Sequence, residues 1–217
     1  MLAVLFGGPS ELAYADAMPP LARLERLVDG DPRHSCPVTF VADLGAVTAR
    51  HCLGSSSVPL WVRRGEDRWP VVAARVPGAR AVDDAGRLVA PQHDWALLTL
   101  EGDPPPPDVR YVGRAGLALA GTGAELTKLG PGRAATAAPR RGACQMLPDA
   151  AAGRVFRFRC EKGVGPGRSG SPILAETEVG WILVGVHIAI SGKDPDVVGI
   201  AVLPSLDDTV VVPWEEQ

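Results

Sequence analysis

Apolar positions along this chain change their period near residue 37. Upstream, Met18 to Val28 carries Leu21, Leu24 and Leu27 at helical spacing, with Pro19-Pro20 before and Asp29-Gly30 after. That pattern predicts a short helix bounded by its Pro and Gly. From Pro37 onward the apolar positions fall into short runs rich in Val, Thr and Leu, broken by Gly, Pro and Asp. Examples are Val38–Ala42, Leu60–Val62, Val71–Val76, Ala96–Leu100, Arg154–Arg159, Trp181–Ile190 and Val197–Leu203. Many short strands separated by turn residues predict an all-β barrel or sandwich.

The strongest interruption is Asp103-Pro104-Pro105-Pro106-Pro107-Asp108. Consecutive prolines donate no ladder hydrogen bonds and favour an extended polyproline segment, so this stretch reads as a connector near residue 105. It divides the chain into a first half ending at 104 and a second over 105–217, and residues 1–33 are set apart ahead of a first half over 34–104 as an N-terminal extension, a signal remnant or pro-segment. Each half has about the size of a six-stranded barrel. No internal repeat is visible.

Composition narrows the class. Of 217 residues 46% are hydrophobic and 22% charged, which fits a folded chain with a real core rather than disorder. The net charge of -3 comes with no basic block, which argues against nucleic acid or an anionic membrane as partner. No stretch has the length of a membrane span. The N-terminus is ambiguous: Leu2 to Phe6 is apolar and Ala13-Tyr14-Ala15 resembles a cleavage site, yet no Lys or Arg precedes Arg23. The four cysteines form two close pairs, Cys36 with Cys52 and Cys144 with Cys160. Neither has CxxC spacing and the four histidines do not cluster, so no metal is expected. Two disulfides and an oxidising compartment, secreted or periplasmic, are the reading; four buried free thiols are the alternative.

Three local motifs carry candidate chemistry. Thr48-Ala49-Arg50-His51-Cys52 follows an apolar run, His93-Asp94-Trp95-Ala96-Leu97-Leu98 opens another, and Gly167-Arg168-Ser169-Gly170-Ser171-Pro172 sets a serine among small residues. A serine hydroxyl is a poor nucleophile at neutral pH. It needs a base in hydrogen-bond reach, and the base needs an orienting acceptor. His51 suits the base and Asp94 the acceptor. Each motif alone has a plain structural reading: a turn, a buried histidine, a strand cap. Asp83 and Asp84 rival Asp94 but sit in a polar turn, whereas Asp94 leads an apolar strand. The chain order also excludes an α/β-hydrolase, in which the serine comes first and a glycine stands two residues after it, where this chain has Ser171.

His, Asp and Ser in this order, each in its own signature, resemble the chymotrypsin-like serine proteases, and within them the bacterial trypsin-like and glutamyl-endopeptidase-like branch. The resemblance covers roughly residues 34 to 205. It implies an all-β fold of two packed six-stranded antiparallel β-barrels with the active site in the cleft between them. It further implies a triad of His51, Asp94 and Ser169, an oxyanion hole from the amides of Gly167 and Ser169, and a Cys36–Cys52 bridge stapling the histidine loop. The expected activity is a serine endopeptidase acting through an acyl-enzyme, as a monomer, on a protein or peptide substrate, with no cofactor. A catalytically inert module binding peptide or protein is the alternative.

Departures from the family pattern matter. Arg168 stands where the animal enzymes have an Asp that pairs with the newly cleaved N-terminal amine, so activation is not expected to use that pair. Gly163 and Val164 replace the acidic pocket base of trypsin-like relatives, which argues against cleavage after Lys or Arg, although Asp194 or Asp196 offers a substitute charge. His187 falls where glutamate-selective relatives place a carboxylate-binding histidine, with Ile188 and Ala189 next along the pocket wall. Both an acidic and a small or apolar P1 residue stay open. The C-terminal helix of the animal enzymes is not evident.

Overall fold

The structure is a computed structural model. It describes residues 21–28, 31–42, 44–54, 58–79, 83, 90–107, 109–121, 125–130, 140–147, 153–161, 168–178, 180–191, 198–207 and 209–214.

Six antiparallel strands close the first barrel. They are β1 (Ala22–Val28), β2 (Asp31–Val41), β3 (Gly45–Thr48), β4 (Leu60–Arg64), β5 (Asp67–Pro77) and β6 (Ala96–Leu100). The order β4-β1-β2-β3-β6-β5 closes through pairing of β5 with β4. The helix expected over 18–28 is therefore a strand in its described part, and the barrel begins at Ala22, inside the segment set apart as an extension. Leucines three apart satisfy a helix face, but Ala22 and Leu24 alternate inward as well. Pairing to β2 on one side and β4 on the other decides between the two patterns. Glu25 on the same strand is buried yet compensated by Arg68 at 3.3 Å and Arg63 at 3.8 Å.

The tetraproline segment runs exposed between the halves. It is fixed at both ends, by the Trp69 indole donating to the Asp103 carbonyl at 3.1 Å and by the Ala42 amide donating to Val109 at 2.7 Å. Beyond it come the short β7 (Arg110–Tyr111) and helix α1 (Arg114–Gly121). The second barrel follows: β8 (Leu126–Gly130), β9 (Arg140–Met146), β10 (Val155–Cys160), β11 (Pro172–Thr177), β12 (Gly180–Ser191) and β13 (Val198–Val202). Its order β8-β9-β10-β13-β12-β11 closes by pairing of β11 with β8, and β7 lies parallel to β12.

The last strand, β14 (Thr209–Pro213), does not stay with the second barrel. It pairs antiparallel with β5 of the first, from Thr209 against Pro77 to Pro213 against Ala73. Trp214 then buries its ring and donates its indole N–H to the Val58 carbonyl at 2.9 Å. β14 thus joins the sheet of the first barrel although it lies far beyond residue 105. Both expected disulfides are present, and Cys144 and Cys160 stand directly opposite each other on β9 and β10.

Two apolar clusters make the core. One is the interior of the second barrel, around Phe156, Phe158, Ile173 and Val184. The other fills the first barrel and continues into the second through Leu129, Leu174, Leu183, Val186 and Val202. Each fully buried side chain of this size contributes about 1.5–3 kcal/mol.

Candidate active site

His51 lies in the single 3-10 turn Arg50–Cys52 that ends β3. The Arg50 guanidinium anchors that turn to the Pro77 carbonyl at 2.9 Å, and the Cys36–Cys52 bridge ties its far end to β2. Asp94 follows a second short turn, Pro91–His93, and immediately precedes the buried Trp95 and β6. Its carboxylate is fully buried. One oxygen accepts the His51 backbone N–H at 2.9 Å and the other meets the imidazole Nδ1 at 2.7 Å. A carboxylate held this way fixes both the ring orientation and the tautomer, leaving Nε2 free of the proton. The His51 side chain is 35% exposed, so solvent still reaches the ring.

Ser169 comes from the other barrel. Its loop is a tight turn: the Ser171 amide donates to Arg168 at 3.1 Å, while Gly170 and His187 exchange backbone contacts with β12 and the loop at 2.7 and 2.8 Å. Gly170 has φ +91°, and a Cβ there would lie 2.4 Å from the Pro37 carbonyl and 2.6 Å from Thr48 Oγ1. Only glycine lets the loop press against β2 and β3. That contact brings the Ser169 carbonyl within 3.8 Å of Cys52 Sγ, next to His51. The Ser169 hydroxyl donates to the Ile188 carbonyl at 3.2 Å.

The remaining sequence candidates are divided. Gly163, Val164, Gly167, Asp84, Asp194 and Asp196 lie outside the described residues. Ile188 is buried at the barrel junction and Ala189 is half-buried beside it. His187 is 1% exposed and stacks edge-on against Phe158, with ring centres 5.4 Å apart. Its Nε2 lies 2.8 Å from the Ala189 carbonyl. Burial first, and the charge of Lys128 second, push its pKa down to about 3. A neutral imidazole on a core strand is what this position presents. Sequence reading passed over Lys128 itself, a lysine within the apolar run of β8 that is 3% exposed. Arg168 reaches back over β8, where its Nη1 lies 3.2 Å from the position a Gly130 Cβ would take.

Two closed six-stranded antiparallel barrels with almost no helix constitute the chymotrypsin fold. No family model matches the chain, and no curated protein matches it. Solved structures do: the chain is similar to HL collagenase, with a TM-score of 0.61 and 18% identity over 88% of this chain and 91% of that one.

Proposed function

We propose that the protein is a serine endopeptidase in which Ser169 is the nucleophile, His51 the general base and Asp94 the group that orients it. The observation that carries this reading is the buried Asp94 carboxylate gripping His51 through both the ring and the backbone, with the serine loop seated against the adjacent Cys52. Ser169 Oγ attacks the scissile carbonyl and passes its proton to His51 Nε2. The amides of Gly167 and Ser169 hold the developing oxyanion. The imidazolium, stabilised by Asp94, returns the proton to the leaving amine, and water then releases the acyl group by the same steps in reverse. The likeness to a collagenase supports the protease class at the level of the fold. Two disulfides support a secreted or periplasmic setting. Arg168, turned onto β8, takes no part in ordering the oxyanion hole through a freed N-terminal amine.

A second reading, an inert peptide-binding module, draws on the Ser169 hydroxyl bonding to the Ile188 carbonyl. A fluorophosphonate probe separates the two. Wild type is expected to label and Ser169→Ala not, with loss of kcat on the order of 10⁶. Folded, disulfide-bonded wild type that does not label establishes the inert module.

A further inference from the structure

Beside the segment that carries Asp94, a cleft of about 580 Å³ opens between the two barrels. Residues 77–79 at the end of β5, with Gln92, His93 and Trp95, line it from the first barrel, and Arg154 and Asp207 line it from the second. The volume falls in the range of small-molecule sites, and a junction between domains is where such sites most often lie. The triad chemistry above makes no use of it. Asp94 itself, between His93 and Trp95 in the chain, is fully buried and gives both oxygens to His51.

The polar groups around this cleft favour an anion. Arg154 is fixed by Asp207, whose carboxylate takes one guanidinium nitrogen at 2.7 Å and also accepts the Ser205 hydroxyl at 2.9 Å. That single bond leaves most of the guanidinium N–H donors for a ligand. The hydrogen bonds from Arg154 and Ser205, then the charge of Arg154, hold Asp207 below the usual carboxylate range, and Arg114 adds to the effect. On the first barrel the Arg50 guanidinium donates to the Pro77 carbonyl at 2.9 Å and to that of Ala79, so a further cation backs the β5 wall. His93 buries its Nδ1 without a hydrogen-bond partner, which leaves Nε2 as the edge of the ring open to bonding. Gln92 adds an exposed amide. Three guanidinium groups stand against one exposed carboxylate that is already paired, and such a balance attracts negative charge. The buried Trp95 and Pro77 supply apolar surface beside them.

We propose that this cleft binds a small organic carboxylate with an apolar body, its charge on Arg154 and its body against Trp95. Such a ligand touches both barrels. On the first it meets the supports of the His51–Asp94 pair: His93 and Trp95 flank Asp94, and Arg50, which holds residues 77–79, precedes His51. Its binding stabilises the folded chain by mass action and braces the junction that carries the pair. The site stands independently of whether Ser169 is a nucleophile.

The test titrates the full chain with benzoate and with benzamide, which matches it in size and carries no charge, at neutral pH and matched ionic strength. Two readouts are followed: the melting temperature, and the NMR signals of the His93 imidazole, assigned by their absence in His93→Gln. Benzoate should move the His93 signals saturably in the millimolar range, the scale of so small a ligand, and raise the melting temperature. Benzamide should do neither. Arg154→Met keeps the apolar stem of the side chain and should weaken benzoate by at least about 10-fold, the range of a hydrogen bond to a charged group. The absence of a saturable His93 shift with benzoate up to about 50 mM overturns the proposal. So does equal binding of benzamide, or undiminished binding of benzoate to Arg154→Met. Melting of the free variant checks its fold; if it does not fold, the comparison of benzoate with benzamide on wild type decides alone.

Discussion

Gly170 shows how one residue joins two halves of a molecule. Its positive φ and the 2.4 Å approach to the Pro37 carbonyl leave no room for a side chain. The atoms it meets are backbone and a Thr48 hydroxyl already bonded to Pro37 at 2.9 Å, so neither yields easily. Gly170→Ala is expected to withdraw the Ser169 loop from His51 and cut fluorophosphonate labelling by at least ~100-fold. Circular dichroism should meanwhile show both barrels intact. His51, Asp94 and Ser169 were legible in the sequence as candidates because each sits in a distinctive local signature and their order restricts the alternatives. The burial of Lys128 was not. A lysine in a short apolar run reads as a solvated position on a strand, and only the closure of β8 between β9 and β11 turns it inward. His187 was singled out from its position, but its burial and the Ala189 carbonyl that holds it come from strand pairing across the barrel.

At the scale of the element, the histidine turn depends on its staple. Arg50–Cys52 is a single turn with no side-chain cap, held by the Arg50 guanidinium and the disulfide to Cys36. The bridge spans 16 residues, and in the chain-entropy model such a loop contributes about 3 kcal/mol. Replacing both cysteines by alanine should lower stability by roughly that amount, read as a lower denaturant midpoint with a somewhat steeper slope, because the unlinked denatured chain expands further. Strands whose runs are apolar and bounded by turn residues, such as β2, β6 and β12, were visible in the pattern. β1 reads as a helix from its leucines three apart, whereas the strand it forms turns Ala22 and Leu24 inward with a period of two. Helix α1, in Arg114–Gly121, and strand β9, in Arg140–Met146, carry no clean period, and their form is set by packing and by the Cys144–Cys160 bridge.

Across the whole molecule, the barrels share one apolar cluster and exchange chain twice, at the proline connector and at β14. A shared core favours unfolding in one step. Trp214 secures the second crossing. Trp214→Ala, which removes a 7%-exposed ring and its bond to Val58, should cost about 3 kcal/mol and speed limited proteolysis near β14. The sequence marked the connector through its prolines. It left β14 unseen, because Thr209–Pro213 is one short run whose partner lies far upstream. That distance has a consequence in time. The β5 edge from Ala73 to Pro77 emerges from the ribosome long before Thr209 does, and at ordinary synthesis rates roughly ten seconds separate the two. Throughout that interval the nascent first barrel stands with an open strand edge, so a cell making this protein has to shield it until its final strand arrives.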